Sequence, residues 1–386
     1  MPGSEQPKVP MLKTVTSLFK GRAAAPPAKV AARVDALYAR ALAAWNGGDW
    51  AIAAALCAEA IALDSALPVL HFMRASALLE LGDNAGGGQA AAAGLALHPP
   101  PPLRRDLQLR QALAKSRLDM ATGLGSTDAV PLPDAPASVS VIVCSISDAK
   151  LARVTSNYQR LLKGVPHDII AIRDAKSLCE GYNRGARAAR GDILVFSHDD
   201  LEILSEDFAA QLLDAMRDHD LIGVAGTTRL RRGKALCGGW PELQGQIGMP
   251  GDQGSIVVTF FNTPGRCSEN IQTLDGVFMA ARRELVSAVP FDEATFDGWH
   301  LYDMDFSWRA SRAGRRCATL NTLLIVHQSS GNFGAEYQRY MARFLAKHGD
   351  AIEQGLEETQ PELRALAVRS AEEWRRVTAH LMTTPN

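Results

Sequence analysis

The chain has 386 residues, 47% of them hydrophobic and 22% charged, with a formal net charge of −1. That length predicts two domains, that composition a globular rather than a disordered chain, and that charge excludes the broad basic field of a nucleic-acid binder. Six cysteines, at 57, 144, 179, 237, 267 and 317, form no CxxC pair and no Cys/His cluster, which argues against a zinc site or a disulfide framework and for a reducing, cytoplasmic compartment.

Residues 1–28 read as a flexible basic arm, with Lys8, Lys13, Lys20 and Arg22 against Glu5. Met11, Leu12, Val15, Leu18 and Phe19 share one helical face, so a weak contact with a membrane surface is the alternative to a free or self-packed arm. No signal-peptide core opens the sequence and no apolar run reaches the length of a bilayer span.

Residues 29–121 are rich in Ala and Leu with helical periodicity, and they repeat. Gly48-Asp49 recurs as Gly82-Asp83 and Ala62-Leu63-Asp64 as Ala96-Leu97-His98; 82 minus 48 and 96 minus 62 both give 34. Helix pairs at 30–46 with 50–63 and 68–81 with 84–97, closed by a helix at 103–118, resemble the tetratricopeptide repeat. Two repeats bury little on their own, so the unit either recruits a protein or peptide acceptor or braces the fold, with a homo-oligomer as one way to cover its face. Gly86-Gly87-Gly88 weakens the fourth helix. The Gly-, Ser-, Asp- and Pro-rich stretch 122–136 is the expected linker.

From 137 to 350 strands and helices alternate. Ser138–Cys144, Asp168–Arg173, Asp192–Ser197 and Leu221–Gly226 read as strands, and Leu151–Lys163, Ser177–Arg190 and Glu206–Arg217 as helices. This predicts an α/β fold on a mixed, mainly parallel sheet with right-handed crossovers. Asp199 and Asp200 follow the buried run Ile193-Leu194-Val195-Phe196, at the strand end where such sheets bind ligands. Adjacent carboxylates repel unless a cation or a shared proton intervenes, so a divalent metal holding a phosphorylated ligand competes with helix capping as their explanation. No GxGxxG follows the first strand and no GxxxxGK[ST] occurs, which removes the main support for dinucleotide and P-loop readings. The last segment, 351–386, reads as a charged helical extension.

Five pieces in order carry a resemblance: Ser138-Val139-Ser140-Val141-Ile142-Val143; Asp168 to Asp174; Tyr182-Asn183-Arg184-Gly185; Asp199-Asp200; and Tyr302-Asp303-Met304-Asp305-Phe306-Ser307-Trp308-Arg309 with Ala313-Gly314. Together they resemble family 2 glycosyltransferases of the GT-A (nucleotide-diphospho-sugar transferase) fold, over about Ser138 to Gly334. The resemblance implies a metal-dependent inverting glycosyltransferase that moves a sugar from a nucleoside-diphosphate sugar, a UDP-sugar first, to an acceptor hydroxyl. It implies Asp174 at the base, Asn183 and Ser145 in the donor site, Asp199 toward the ribose, Asp200 and His327 on Mn²⁺ or Mg²⁺, and Asp303 as general base. Residue by residue the alternatives are plain: Asp174 can cap the following helix, His327 can be a polar strand terminus, and Asp303 with Asp305 can be dipole partners of their helix. Tyr302 stands where the family usually has Glu.

Asp275, Trp240, Trp299 and Tyr302 are the expected acceptor pocket, since aromatic faces with polar tips suit a sugar or aglycone. Asp275 can equally cap its own turn. Arg229, Arg231, Arg232 and Lys234 form a basic run, either a solvated loop or a flap over the diphosphate. A different class of reading is a catalytically inactive GT-A-like protein serving as a binding or scaffold module through its repeats. A nucleotidyltransferase would need a Gly-rich basic loop where this chain has Cys144-Ser145-Ile146-Ser147-Asp148.

Overall fold

The computed structural model describes residues 27–123, 131–133, 136–232, 242–263, 265–329, 331, 333–354 and 364–383. The basic arm, Trp240, Lys234 and about half of the expected linker lie outside these residues. Contacts divide the chain into two compact units, 1–126 with 379–384 and 127–378 with 385–386.

The first unit is all helical: α1 (Ala28–Asn46), α2 (Trp50–Leu63), α3 (Pro68–Glu80), α4 (Asn84–Leu95) and α5 (Pro101–Ala121). In α1 the buried positions Val34, Leu37, Tyr38 and Ala41 fall at helical spacing, and they join α2 and α3 in one apolar cluster. Gly48 and Gly82, 34 residues apart, both adopt left-handed φ, at 76° and 83°, in the turns before α2 and α4. The glycines inside α4 have a packing use. A Cβ on Gly87 would fall 2.8 Å from Leu79 Cγ, and one on Gly94 would fall 2.9 Å from His71 Cβ and Leu107 Cδ2. Close approach of α4 to α3 and α5 thus offsets a helix-propensity cost of roughly 1 kcal/mol per glycine.

The second unit opens as expected with β1 (Val139–Cys144), α6 (Asp148–Leu161), β2 (His167–Ile172), α7 (Leu178–Ala188) and β3 (Ile193–Ser197). It continues through β4 (Leu201–Ile203), α8 (Phe208–Asp218), β5 (Leu221–Gly223), β6 (Ala225–Thr227), β7 (Arg231–Arg232), β8 (Leu243–Pro250), β9 (Ile256–Phe260), β10 (Cys267–Ser268) and β11 (Thr273–Leu274). Then come β12 (Phe278–Arg282), α9 (Arg283–Ala288), α10 (Tyr302–Arg312), β13 (Cys317–Leu320), β14 (Ile325–His327) and α11 (Ala335–His348). The unit closes with β15 (Glu353–Gln354), β16 (Arg364–Val368) and most of α12 (Ala371–Met382), whose residues from 379 on fall in the first unit.

Seven strands form the main sheet in the order β10-β13-β5-β12-β3-β1-β2, parallel at β1, β2 and β3 and interrupted by antiparallel β12. Both faces are covered. Val141, Val143 and Val195 point into one apolar cluster with Tyr158 and Phe208, and Ile142, Leu194 and Phe196 into the other with Tyr182 and Phe306. That double burial is why β3 is an unbroken apolar run. A second sheet, β11-β6-β8-β14-β4, carries β9 on β8 and β16 on β9. The single strand expected over Leu221–Gly226 is two, β5 and β6, one in each sheet.

The C-terminal stretch departs from the helical expectation. Arg364–Val368 pairs antiparallel with β9 over five residues, and only then does α12 begin. Alanine and leucine in this stretch suit a helix, but an open sheet edge beside an alternating segment decides otherwise. Trp374 on α12 is fully buried; its indole N–H donates to Gln246 Oε1 at 2.8 Å, where Thr378 Oγ also donates at 3.0 Å. Among the described residues no helix is long and apolar enough to cross a membrane.

Candidate active site

The site gathers at the carboxyl ends of β3 and β1, and three pairings bring its parts together. Parallel pairing sets Val143 beside Ser197, so that Ser145 past the end of β1 reaches Asp199 past the end of β3; Ser145 Oγ donates to Asp199 Oδ2 at 2.6 Å. Antiparallel pairing of β4 with β14 sets His327 opposite Leu201 and therefore beside Asp200, with Gln328 N–H donating to the Asp200 carbonyl at 2.9 Å. Antiparallel pairing of β12 with β3 sets Phe278 opposite Ser197, and His198 N–H donates to the Val277 carbonyl at 3.1 Å, which carries the loop 275–277 alongside His198.

Asp200 is buried, and its two oxygens face different partners. Oδ1 lies 3.2 Å from His327 Nε2, and Oδ2 lies 3.3 Å from Lys150 Nζ. His327 first, then Ser329 and Lys150, hold this carboxyl well below the ordinary range against the opposing effect of burial. Lys150, half-exposed in the first turn of α6, also stands 3.5 Å from Asp199 Oδ1, so one ammonium serves both carboxylates. His198 Nδ1 lies 3.4 Å from His327 Nε2, and burial, then the neighbouring His327, disfavours its protonation.

His198, Asp200 and His327 each offer a ligand atom within 4.8 Å of the others. Two donors bound to one ion at about 2.0–2.1 Å and at angles near 90–109° sit roughly 3.0–3.4 Å apart, so the 3.2 and 3.4 Å edges of this triangle fit a divalent cation. Sequence reasoning missed two members of the cluster. His198 is masked by the acid pair that follows it, and Lys150 gives no signal because a single lysine in a first helical turn is unremarkable in a sequence.

Asp303 lies in the first turn of α10, and Gly276 N–H donates to its Oδ2 at 2.7 Å. Asp303 is partly buried. Burial, then the charge of Asp275, pushes its carboxyl up to about 7. Asp275 itself is exposed and accepts from Val277 N–H at 2.9 Å, so it caps its own turn while acting on Asp303. α10 is locked to β11 by Ser307 Oγ, which accepts from Leu274 N–H at 3.0 Å. The residue before α10, Leu301, is buried and left-handed, at φ 60° and ψ 7°.

Other expected residues sit elsewhere or do other things. Asn183 is not free for a ligand: its Nδ2 donates to the Phe291 carbonyl at 2.9 Å and to Glu293 Oε1 at 3.0 Å, and its Oδ1 accepts from Phe291 N–H at 3.0 Å. Asp174 lies exposed past the end of β2 and pairs with Arg184 at 2.7 Å; the cap of α7 is Ser177, not Asp174. Tyr302 is 4% exposed, which removes it from the wall of an acceptor pocket. Trp299, 47% exposed, keeps a face open to solvent. The basic run is neutralised locally, Arg229 by Glu353 at 2.8 Å and Arg231 by Glu242 at 2.8 Å, so those guanidiniums are not held over the site. Asp305 is buried and bound by Arg309 and His348 at 2.7 Å and by Lys347 at 2.6 Å, which ties α10 to α11.

A family model described as a glycosyltransferase-like family matches residues 140–348, more than half of the chain, and the chain belongs to that family. Its second unit has the GT-A architecture that the sequence predicts. No curated protein matches. Solved structures that resemble the chain include GalNAc-T7 with UDP, GalNAc and Mn²⁺, at 11% identity over 55% of this chain and 48% of that one, with a TM-score of 0.37. The mannosyltransferase PcManGT of Pyrobaculum calidifontis in complex with GDP-Man and Mn²⁺ matches at 12% identity over 70% and 76%, TM-score 0.37. TarS 1–349 of S. aureus matches at 13% over 55% and 72%, TM-score 0.30. The chain thus spans about half the length of the first of these.

Proposed function

We propose that this protein is a metal-dependent inverting glycosyltransferase that uses a nucleoside-diphosphate sugar. The observation that carries the reading is the convergence of Asp199, Asp200, His198, His327 and Asp303 on one strand end, near enough that Asp275 perturbs both His198 and Asp303. His198, Asp200 and His327 would hold Mn²⁺ or Mg²⁺. Such an ion, when bound, neutralises the charge that builds on a departing nucleoside diphosphate. Asp199, held by Ser145, is the donor-side carboxylate left for the ribose. Lys150 supplies a second positive charge at the same place.

Asp303 takes the acceptor's proton. As the acceptor oxygen bonds to the anomeric carbon, the bond from that carbon to the diphosphate oxygen breaks on the opposite face, and the hydroxyl proton passes to the carboxylate. A carboxyl raised to about 7 is matched to that task near neutrality. The paired left-handed glycines 34 residues apart support a tetratricopeptide-like reading of the helical unit, and with it recruitment of a protein or peptide acceptor.

A thermal-shift panel of UDP-, GDP- and dTDP-sugars with and without Mn²⁺ tests the donor. A sugar nucleotide near a hundred times its Kd adds about 2.7 kcal/mol to the folded state and should raise Tm by about 5 °C or more, with Mn²⁺ required and the gain lost in Asp200→Ala. No shift with any donor would move the protein to a binding or scaffold role.

A further inference from the structure

We propose that Tyr302 is a positioning residue that fixes which nitrogen of His198 faces the metal cluster, and that the resulting pair of imidazoles selects a transition ion over Mg²⁺. The proposal rests on the metal site described above. A phenol carries one proton, and Tyr302 donates it to the Gly276 carbonyl oxygen 3.2 Å away. In this assignment its hydroxyl oxygen, 2.8 Å from His198 Nε2, is the acceptor in that second contact, because a carbonyl can only accept whereas the imidazole nitrogen can donate. The neutral imidazole must then carry its proton on Nε2, which leaves the Nδ1 lone pair unprotonated. Nδ1 is the nitrogen that faces His327 Nε2 at 3.4 Å, on the edge of the triangle completed by Asp200.

The phenol has no room to turn away. It packs edge-on against Tyr182 at 5.7 Å and beside Phe291 at 6.4 Å, 4% exposed. Gly276 leaves the space it fills: a Cβ there would overlap the Tyr302 hydroxyl and fall 2.8 Å from Asp303 Cβ. The same glycine donates its N–H to Asp303, so one residue meets both the metal-side relay and the base. Partners behind a ligating histidine set its tautomer and ring orientation. Two imidazoles with one carboxylate accept the Mn²⁺-to-Zn²⁺ series far better than Mg²⁺, which demands oxygen ligands. A tyrosine in place of the family's usual glutamate follows: a carboxylate beside His198 could not donate to Gly276, and it would add a charge next to Asp303.

Titration calorimetry of the full chain with Co²⁺ or Mg²⁺ alone tests this, on wild type, Tyr302→Phe, His198→Gln and the double variant, with circular dichroism and metal-free melting as fold controls. Wild type should bind Co²⁺ at least about tenfold more tightly than Mg²⁺. Tyr302→Phe should keep its fold and lose about 10- to 100-fold in Co²⁺ affinity with little change for Mg²⁺. The double variant should be no weaker than His198→Gln, because the tyrosine acts through the histidine. Unchanged Co²⁺ binding in Tyr302→Phe, additive losses in the double variant, or a wild type that binds neither ion overturns the proposal. Should Tyr302→Phe lose its fold, the ¹⁵N shifts of His198 in the wild type decide: a proton on Nε2 upholds the proposal, and a proton on Nδ1 overturns it. Glycosyl transfer is judged separately, by sugar-nucleotide binding and turnover.

Discussion

Asp303 is held between two demands, since burial and the nearby Asp275 favour its neutral form while the proton abstraction we propose for it needs the charged one. Asp303→Asn should reduce kcat by about 10²- to 10⁴-fold and leave donor binding intact. Equal loss of donor affinity, measured by calorimetry with Mn²⁺ present, would make the residue structural. The wild-type rate should climb with pH through about 7 and then level as the carboxylate forms. Stability runs the other way. The folded protein keeps this proton up to about 7, whereas the unfolded chain releases it near 3.8, so stability is lost as pH rises across that window. The loss is at most about 1.4 kcal/mol per pH unit. Denaturant melts at pH 5 and pH 8 should show a shallower decline for Asp303→Asn.

At the scale of the element, α10 is the part that must be placed accurately, because it carries both Tyr302 and Asp303. It starts from Leu301, a buried β-carbon-bearing residue in the left-handed region. That conformation costs roughly 1–2 kcal/mol in an ordinary residue and almost nothing in glycine. Leu301→Gly should therefore melt at least as high as Leu301→Ala, although it removes one more carbon; a clearly lower Tm for the glycine variant would mean the backbone is relaxed there. The strain persists because the surroundings hold it, with Ser307 fixing α10 to β11 and Asp305 fixing it to α11 through Lys347 and His348. A helix pinned from two sides can carry a strained start.

Across the catalytic unit, the C-terminal segment is part of the core rather than an appendage. β16 extends the second sheet, and Trp374 seals Gln246 and Gly248 on β8 beneath it. Trp374→Ala should cost about 3–5 kcal/mol and lower Tm by about 10 °C, read by calorimetric melting. A shift under about 2 °C would show the segment to be peripheral.

What could be read without coordinates was whatever local pattern encodes. The buried run of β3 ending in Asp199-Asp200 and the acid-bearing start of α10 are patterns within a few neighbouring residues, and the strand–helix alternation and the 34-residue spacing are such short patterns recurring along the chain. Two kinds of error mark the limit of that reading. The resemblance put Asn183 in the donor site and aromatic chemistry put Tyr302 in the acceptor pocket, yet both are buried, Asn183 bonded to the turn at Phe291 and Tyr302 in contact with His198. β16 looked helical because alanine and leucine favour a helix, until an open sheet edge claimed it.

The sequence by itself determined the layers, the family resemblance and the individual carboxylates, since strand burial, helix periodicity and turn chemistry act over short separations. Only the tertiary structure decided that His198, Asp200 and His327 form one cluster, that Lys150 shares its carboxylates, and that Gly276 stands between Tyr302 and Asp303. Those contacts join residues from about 25 to more than 100 positions apart. They depend on strand register and on which side chains become buried, and no local pattern carries that information.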